Sequence, residues 1–247
     1  MTYDKICLML PTYKRPKQIL AFVNSAMKYA DDWLRLRFCF CVNKTDEISK
    51  DTIGAMFWPD QSIYEAIEET TVQPNLSLYF NMMYNNTSFN EPGTVVSMVG
   101  DDMVFLTKGW DTKILEKINE HDGLALVYCD DNFIAHEKMC VNLFTTRKLV
   151  EATGKPFMCE FFHADMIDLV WQYIGTMTGL LKYMPEVIIQ HNHSTKVAEK
   201  DWDETFKRLS PVQKVANNSQ NQRLAVAYST LVARKLIDAG VGKWNIL

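Results

Sequence analysis

Two carboxylates stand side by side in "TVVSMVGDDMVFL", where Asp101 and Asp102 follow Gly100 and apolar runs flank them on both sides. Adjacent anions repel and resist burial, so a cation, a solvated turn or a helix N-terminus must compensate them. A strand end with two carboxylates suits Mg2+ or Mn2+, because oxygen ligands on a rigid element hold such ions with several water positions left over. A cation there would bridge the phosphates of a nucleotide and stabilise charge on a departing diphosphate.

A second group of candidate ligands lies in "VIIQHNHS". His191 and His193 are two residues apart, so on a strand they share a side. Neutral imidazole is a good ligand for a transition metal, Mn2+ included. A third group is the turn "LPTYKRP", which offers the Thr12 hydroxyl, backbone groups around Pro11, and the cations Lys14, Arg15 and Lys17. Arginine is the better planar partner for a phosphate or carboxylate. The turn has no glycine, unlike the phosphate loops of P-loop and dinucleotide-binding proteins. In "HADMID", Asp165 sits in an otherwise apolar helical pattern, where a carboxylate facing a pocket could take a proton from a hydroxyl, with Asp168 sharing its face.

These residues must be positioned by strands and helices that alternate along the chain. "KICLMLPT" reads as a buried strand, followed by a helix from Lys17 with apolar residues at Ile19, Leu20, Phe22, Val23, Ala26, Met27 and Ala30. "LRFCFCVN" is a second strand, a helix is expected around Ser62–Glu69, and Leu76, Tyr79, Phe80 and Met83 keep helical spacing. "GTVVSMVG" is a third strand, "GWDTKILEKINEH" an amphipathic helix, and "GLALVYCDD" another strand ending in acids. Further on come a strand and short helix in "MCVNLFTTRKLVEATGKP", a helix in "FFHADMIDLVWQYIG", and two polar-faced helices after Asp201, with Gly240 as a stop. The pattern implies an α/β domain with a mostly parallel central sheet, whose strand carboxyl ends gather ligands.

Composition narrows the classes. The 247 residues are 47% hydrophobic and 23% charged, with a net charge of -4, an ordinary globular balance with no global basic signature for nucleic acid. Local cationic pairs at Arg35/Arg37, Lys207/Arg208 and Arg234/Lys235 read as solvated faces. None of the six cysteines forms a C-x-x-C pair, which points to buried free thiols in a reducing compartment. No run reaches the roughly 20 apolar residues of a membrane helix. A soluble cytoplasmic protein is expected.

Taken in order, the motifs resemble those of small glycosyltransferases of the GT-A fold, similar to family-2-type sugar transferases. "LPTYKRP" resembles the donor-binding turn after the first strand, and "GDDM" stands where the family has its D-x-D metal motif. "FFHADMIDLVW" matches the acidic acceptor-site helix, and "PEVIIQHNHSTKVAEKDWDETF" a strand that ends in histidine. The resemblance covers Ile6 to Phe206. It implies a GT-A (Rossmann-like) domain over residues 1–200, with a C-terminal helical extension, 201–247, packed on it. It also implies that Pro11, Thr12, Arg15, Asn43 and Asp101 bind the nucleotide sugar. Asp102 with His191 or His193 would hold Mn2+ or Mg2+, and Asp165 would be the catalytic base. The motif reads Gly-Asp-Asp where the family has Asp-x-Asp, and Asn43 stands where an aspartate is usual. The implied reaction moves a sugar, with UDP the expected nucleotide, to a soluble hydroxyl acceptor. A hydroxymethylated base in DNA is one such acceptor for a compact transferase of viral type. The alternatives are a nucleotidyltransferase acting on a sugar phosphate, which would want a glycine-rich basic loop, and an inactive nucleotide-sugar-binding module.

Overall fold

The computed structural model describes residues 1–56, 58, 60–70, 75–133, 135–154, 156–162, 166–193, 203–205, 207 and 219–245. The first two strands form where apolar runs are bounded by turn residues: β1 (Lys5–Thr12) and β2 (Leu36–Asn43). Between them α1 (Pro16–Tyr29) starts on a proline, which needs no amide partner in a first helical turn, and buries Ile19, Phe22, Val23 and Ala26. After α2 (Glu47–Ala55) comes β3 (Tyr64–Glu69), which corrects the helix expected around Ser62–Glu69. Glutamate and alanine favour a helix locally. Pairing of Tyr64–Glu69 with Phe38–Asn43 of β2 overrides that preference.

The chain continues through α3 (Leu76–Asn86), β4 (Thr94–Met98), β5 (Met103–Phe105), α4 (Trp110–Glu120) and β6 (Leu126–Asp130). It then forms β7 (Leu143–Thr146), α5 (Arg147–Thr153), α6 (Met166–Thr178), β8 (Leu181–His191) and a last helix, α7 (Ser219–Asp238). The eight strands lie in the order β3-β2-β1-β4-β7-β6-β8-β5. β1 pairs in parallel with β2 and β4, β2 with β3, and β6 with β8. β7 runs antiparallel between β4 and β6, and β5 antiparallel to β8. The sheet is thus parallel on the β3–β4 side and mixed beyond it.

Side chains alternate across this sheet into two cores. One face buries Leu8, Leu10, Phe38 and Phe40 against α1, α4 and Trp58. There Trp110 is fully buried, packs on Phe105 and Phe144, and donates its indole N–H to the Ala26 carbonyl at 3.0 Å. The other face buries Met9, Val96, Leu126 and Tyr128 against α3, α5, α6 and α7. α7 packs along α6, burying Val232 and Leu236, and ends before Gly240, which has φ +76°. All six cysteines are free, and five are buried. Among the described residues no helix is long and apolar enough to cross a membrane.

Candidate functional site

Three strand ends converge at one edge of the sheet. β1 ends at Thr12 and enters the turn to α1, in which Lys14 has φ +53°. That left-handed residue is held by its neighbours: the Lys14 amide donates to Asp46 Oδ2 at 2.6 Å, while Asp46 Oδ1 caps α2 by accepting from the Ser49 amide at 3.1 Å. β4 ends two residues before Gly100, and the Gly100 carbonyl accepts from the Met103 amide at 3.2 Å, so Asp101 and Asp102 occupy a tight turn into β5. β5 pairs Met103 with His191 at the end of β8.

The two aspartates point to different partners. Asp101 is 4% exposed; its Oδ2 accepts from the Thr12 hydroxyl at 2.7 Å and its Oδ1 from Arg15 Nη1 at 2.7 Å. The rest of the Arg15 fork holds Asp203, through Nε at 2.7 Å and Nη2 at 2.9 Å. Lys14 pairs with Glu204 at 2.8 Å, and the Thr205 hydroxyl donates to the Tyr13 carbonyl. Residues 203–205 therefore strap the turn after β1. Burial and the Asp102 carboxylate push the Asp101 carboxyl up to about 6, against the opposing pull of Arg15 and Thr12. Burial alone would lower Arg15, but the carboxylates of Asp101 and Asp203 hold it above its ordinary value.

Asp102 faces β8. Its Oδ1 lies 3.4 Å from His191 Nε2, its Oδ2 4.0 Å from Arg15 Nη1, and its carbonyl accepts from the Asn192 amide at 2.8 Å. Burial pushes the Asp102 carboxyl up, but His191, Arg15 and His193 outweigh it and hold the group below the usual carboxylate value. The His191 and His193 rings are 5.1 Å apart, although β8 ends at His191 and His193 lies beyond the ladder. Asp102, His191 and His193 bring one carboxylate and two imidazoles to the same strand end, although their ligand atoms do not all lie within 4.8 Å of one another.

The other expected residues are placed differently. Asn43, at the end of β2, is buried and donates to Glu69 Oε1 at 2.6 Å; its Oδ1 accepts from the Thr45 amide and hydroxyl. Its side chain thus fixes the turn into α2. Pro11 lies within β1, in register with Cys41. Asp165 lies outside the described residues.

Among the described residues, Asp130, Asp131 and His136 are the group whose ligand atoms all fall within 4.8 Å of one another. Asp131 accepts from the backbone amides of Phe133, Ala135 and His136 at 3.3, 3.2 and 2.8 Å, so it fixes its own loop. Asp46 and His136 escape sequence reasoning, since both lie in short connections between elements with no periodic signal. The acids ending "VYCDD" were the one available cue to the loop.

No family model matches the chain, and no curated protein matches it in sequence. Solved structures do. The mannosyltransferase PcManGT from Pyrobaculum calidifontis, in complex with GDP-Man and Mn2+, is similar over 98% of this chain and 77% of its own, with a TM-score of 0.64 and 13% identity. S. aureus TarS 1-349 is similar over 94% of this chain and 70% of its own, with a TM-score of 0.56 and 10% identity. The same TarS fragment in complex with UDP gives a TM-score of 0.55 at 11% identity, over 92% of this chain and 70% of its own. With its eight-stranded mixed sheet between two helical layers and the acidic turn at the sheet's edge, the chain has the fold of the GT-A glycosyltransferases.

Proposed function

We propose that the chain transfers a sugar from a nucleoside-diphosphate donor, UDP-linked by the resemblance, to a hydroxyl acceptor, with Mn2+ or Mg2+ as cofactor. The observation that carries this reading is the meeting of Thr12 and Arg15 on Asp101, and of His191 on Asp102, at the strand carboxyl ends where open α/β sheets take ligands. Asp102 with His191 and His193 would hold the divalent cation. When bound, that cation would neutralise the leaving diphosphate.

The protein's own groups divide the remaining work. Arg15 and Thr12 fix the Asp101 carboxylate, so Asp101 presents a preset acceptor to the donor's ribose or sugar hydroxyls. Arg15 is the cation a diphosphate would meet, taking the place of Asp203. By the resemblance Pro11 and Asn43 stand at the nucleotide end of the site, where Asn43 fixes the turn into α2. By the order of motifs Asp165 is the acceptor-side base, and a modified base in DNA is one acceptor of the right chemistry.

Calorimetric titration of UDP, GDP and their sugars with and without Mn2+, on wild type and Asp102→Ala, tests the reading. Metal-dependent binding that disappears in the folded variant is expected. Absence of binding to every diphosphate donor would overturn it, and binding without turnover would favour an inactive module.

A further inference from the structure

A second arrangement of chemically able side chains lies at the end of β6, one strand beyond His191. His136 Nδ1 approaches both oxygens of Asp130, at 3.1 and 3.2 Å. Asp130 Oδ2 also accepts from the Tyr183 hydroxyl at 2.6 Å, and its Oδ1 from the Asn132 amide at 2.6 Å. The carboxylate is therefore fixed by three donors, with only 19% of its side chain exposed, while 44% of the His136 side chain is open to solvent. With Nδ1–H donated to Asp130, the neutral ring carries its lone pair on Nε2.

The backbone holds this geometry at some expense. His136 and Asn132 have φ +42° and +47°, a conformation uncommon outside glycine, and Asp131 pins the loop between them. Beneath it the β6–β8 register jumps from Cys129↔Met184 to Asp130↔Ile188, a bulge that re-aims the strand end. The loop is also tied to β8: the Asp131 carbonyl accepts from the His191 amide at 2.9 Å, and Asn132 Nδ2 donates to Gln190 Oε1 at 3.2 Å. In the sheet order β6-β8-β5, the dyad and the turn before β5 flank β8. Two strand spacings separate the strands that carry them by about 10 Å.

We infer that His136, oriented by Asp130 and Tyr183, is a catalytic base that takes the acceptor's proton. This rests on the transferase reading above and reassigns the role that the motif order gives to Asp165. As the acceptor oxygen bonds to the anomeric carbon, its proton passes to His136 Nε2. The bond from that carbon to the diphosphate oxygen breaks, and its electron pair leaves with the diphosphate. The imidazolium formed is stabilised by Asp130 and later returns its proton to water. The charged groups facing the ring are Asp130, Asp131 and Glu137, with the Tyr183 hydroxyl below; the hydrogen bond to Asp130 raises His136 above its ordinary value. The ring thus keeps its proton to higher pH than a free imidazole, so the rate should climb with pH through a midpoint above 6.5.

The test measures release of nucleoside diphosphate from UDP-glucose and GDP-mannose with Mn2+, water serving as the acceptor, from pH 5 to 9. His136→Asn keeps a residue that tolerates the left-handed backbone. It should lower the rate by about 10²-fold or more and erase the rising limb, with donor affinity unchanged. Asp130→Asn should move the limb to lower pH. Asp165→Asn should retain the limb. The inference is overturned if His136→Asn keeps the rate and limb while Asp165→Asn loses them. It is also overturned if the wild type binds donor yet releases no diphosphate at any pH, since an oriented base would activate water as well. Failure of the wild type to bind UDP, GDP or any of their sugars would instead refute the transferase reading beneath it.

Discussion

Replacing Arg15 by methionine removes the cation between two carboxylates and leaves most of the volume. Asp101 would then be a carboxylate 4% exposed, with the Thr12 hydroxyl as its remaining donor at 2.7 Å. Breaking a buried pair by deleting one partner costs about 3–5 kcal/mol, because the other charge stays buried. That is a large part of the roughly 5–15 kcal/mol that holds a domain folded. Asp101→Asn should cost less, about 1–3 kcal/mol, since Arg15 keeps its two-pronged contact with Asp203. The double variant has no stranded charge, so its cost should fall below the sum of the singles by about 2 kcal/mol or more. Urea unfolding at pH 7 with unchanged m-values reads all three. The pH dependence supplies a second check. A carboxyl raised to about 6 keeps its proton in the folded state to higher pH than in the unfolded chain, so its contribution to stability falls as pH climbs from about 4 to about 6. Without Arg15 that decline should extend above pH 6, and the deficit of Arg15→Met should shrink at pH 5. Additive singles within 0.5 kcal/mol, or a deficit independent of pH, would refute the reasoning.

Three other outcomes are expected. Gly123 has φ +76° and a Cβ there would run into the Tyr3 ring, so Gly123→Ala should cost about 2–4 kcal/mol by thermal or urea unfolding, from backbone strain and overpacking together. Trp110→Ala, which empties the space between Phe105 and Phe144 and frees the Ala26 carbonyl, should cost about 3–5 kcal/mol in the same assay. In an NMR titration the His136 ring should titrate above 6.5, and Asp130→Asn should bring its midpoint down. The stability from that pair is present below pH 6.5 and is lost as pH rises through the raised value.

Much of the scaffold was legible because its segments are decided locally. β1 and β2 match "KICLMLPT" and "LRFCFCVN" residue for residue, since each is an apolar run stopped by turn chemistry. "YEAIEE" was misread because its own propensity opposes the strand that β2 imposes on it, and "MVF" is too short to show any period. In the site, residue types were readable but their pairings were not. Nothing near Asp101 in the chain announces Arg15, 86 residues away, or the partner of Arg15 at Asp203, 188 away. Two adjacent acids called for compensation, and a cation was expected to supply it from outside. For Asp101 the chain supplies an arginine itself, and the imidazole beside Asp102 lies in the "QHNH" that sequence reasoning had singled out.

If the turn after β1 takes the donor's diphosphate as proposed, the strap at residues 203–205 makes it an ion exchanger. Lys14 and Arg15 already carry counterions, Glu204 and Asp203, supplied by the same chain. A diphosphate settling on these cations would swap one set of anions for another and leave the count of ion pairs nearly constant. Salt would then weaken donor binding less steeply than at a bare basic turn, because added ions loosen the resident and the incoming pairs alike. The displaced carboxylates would be turned out to solvent, so occupancy of the turn would register as new negative charge on the surface beside it.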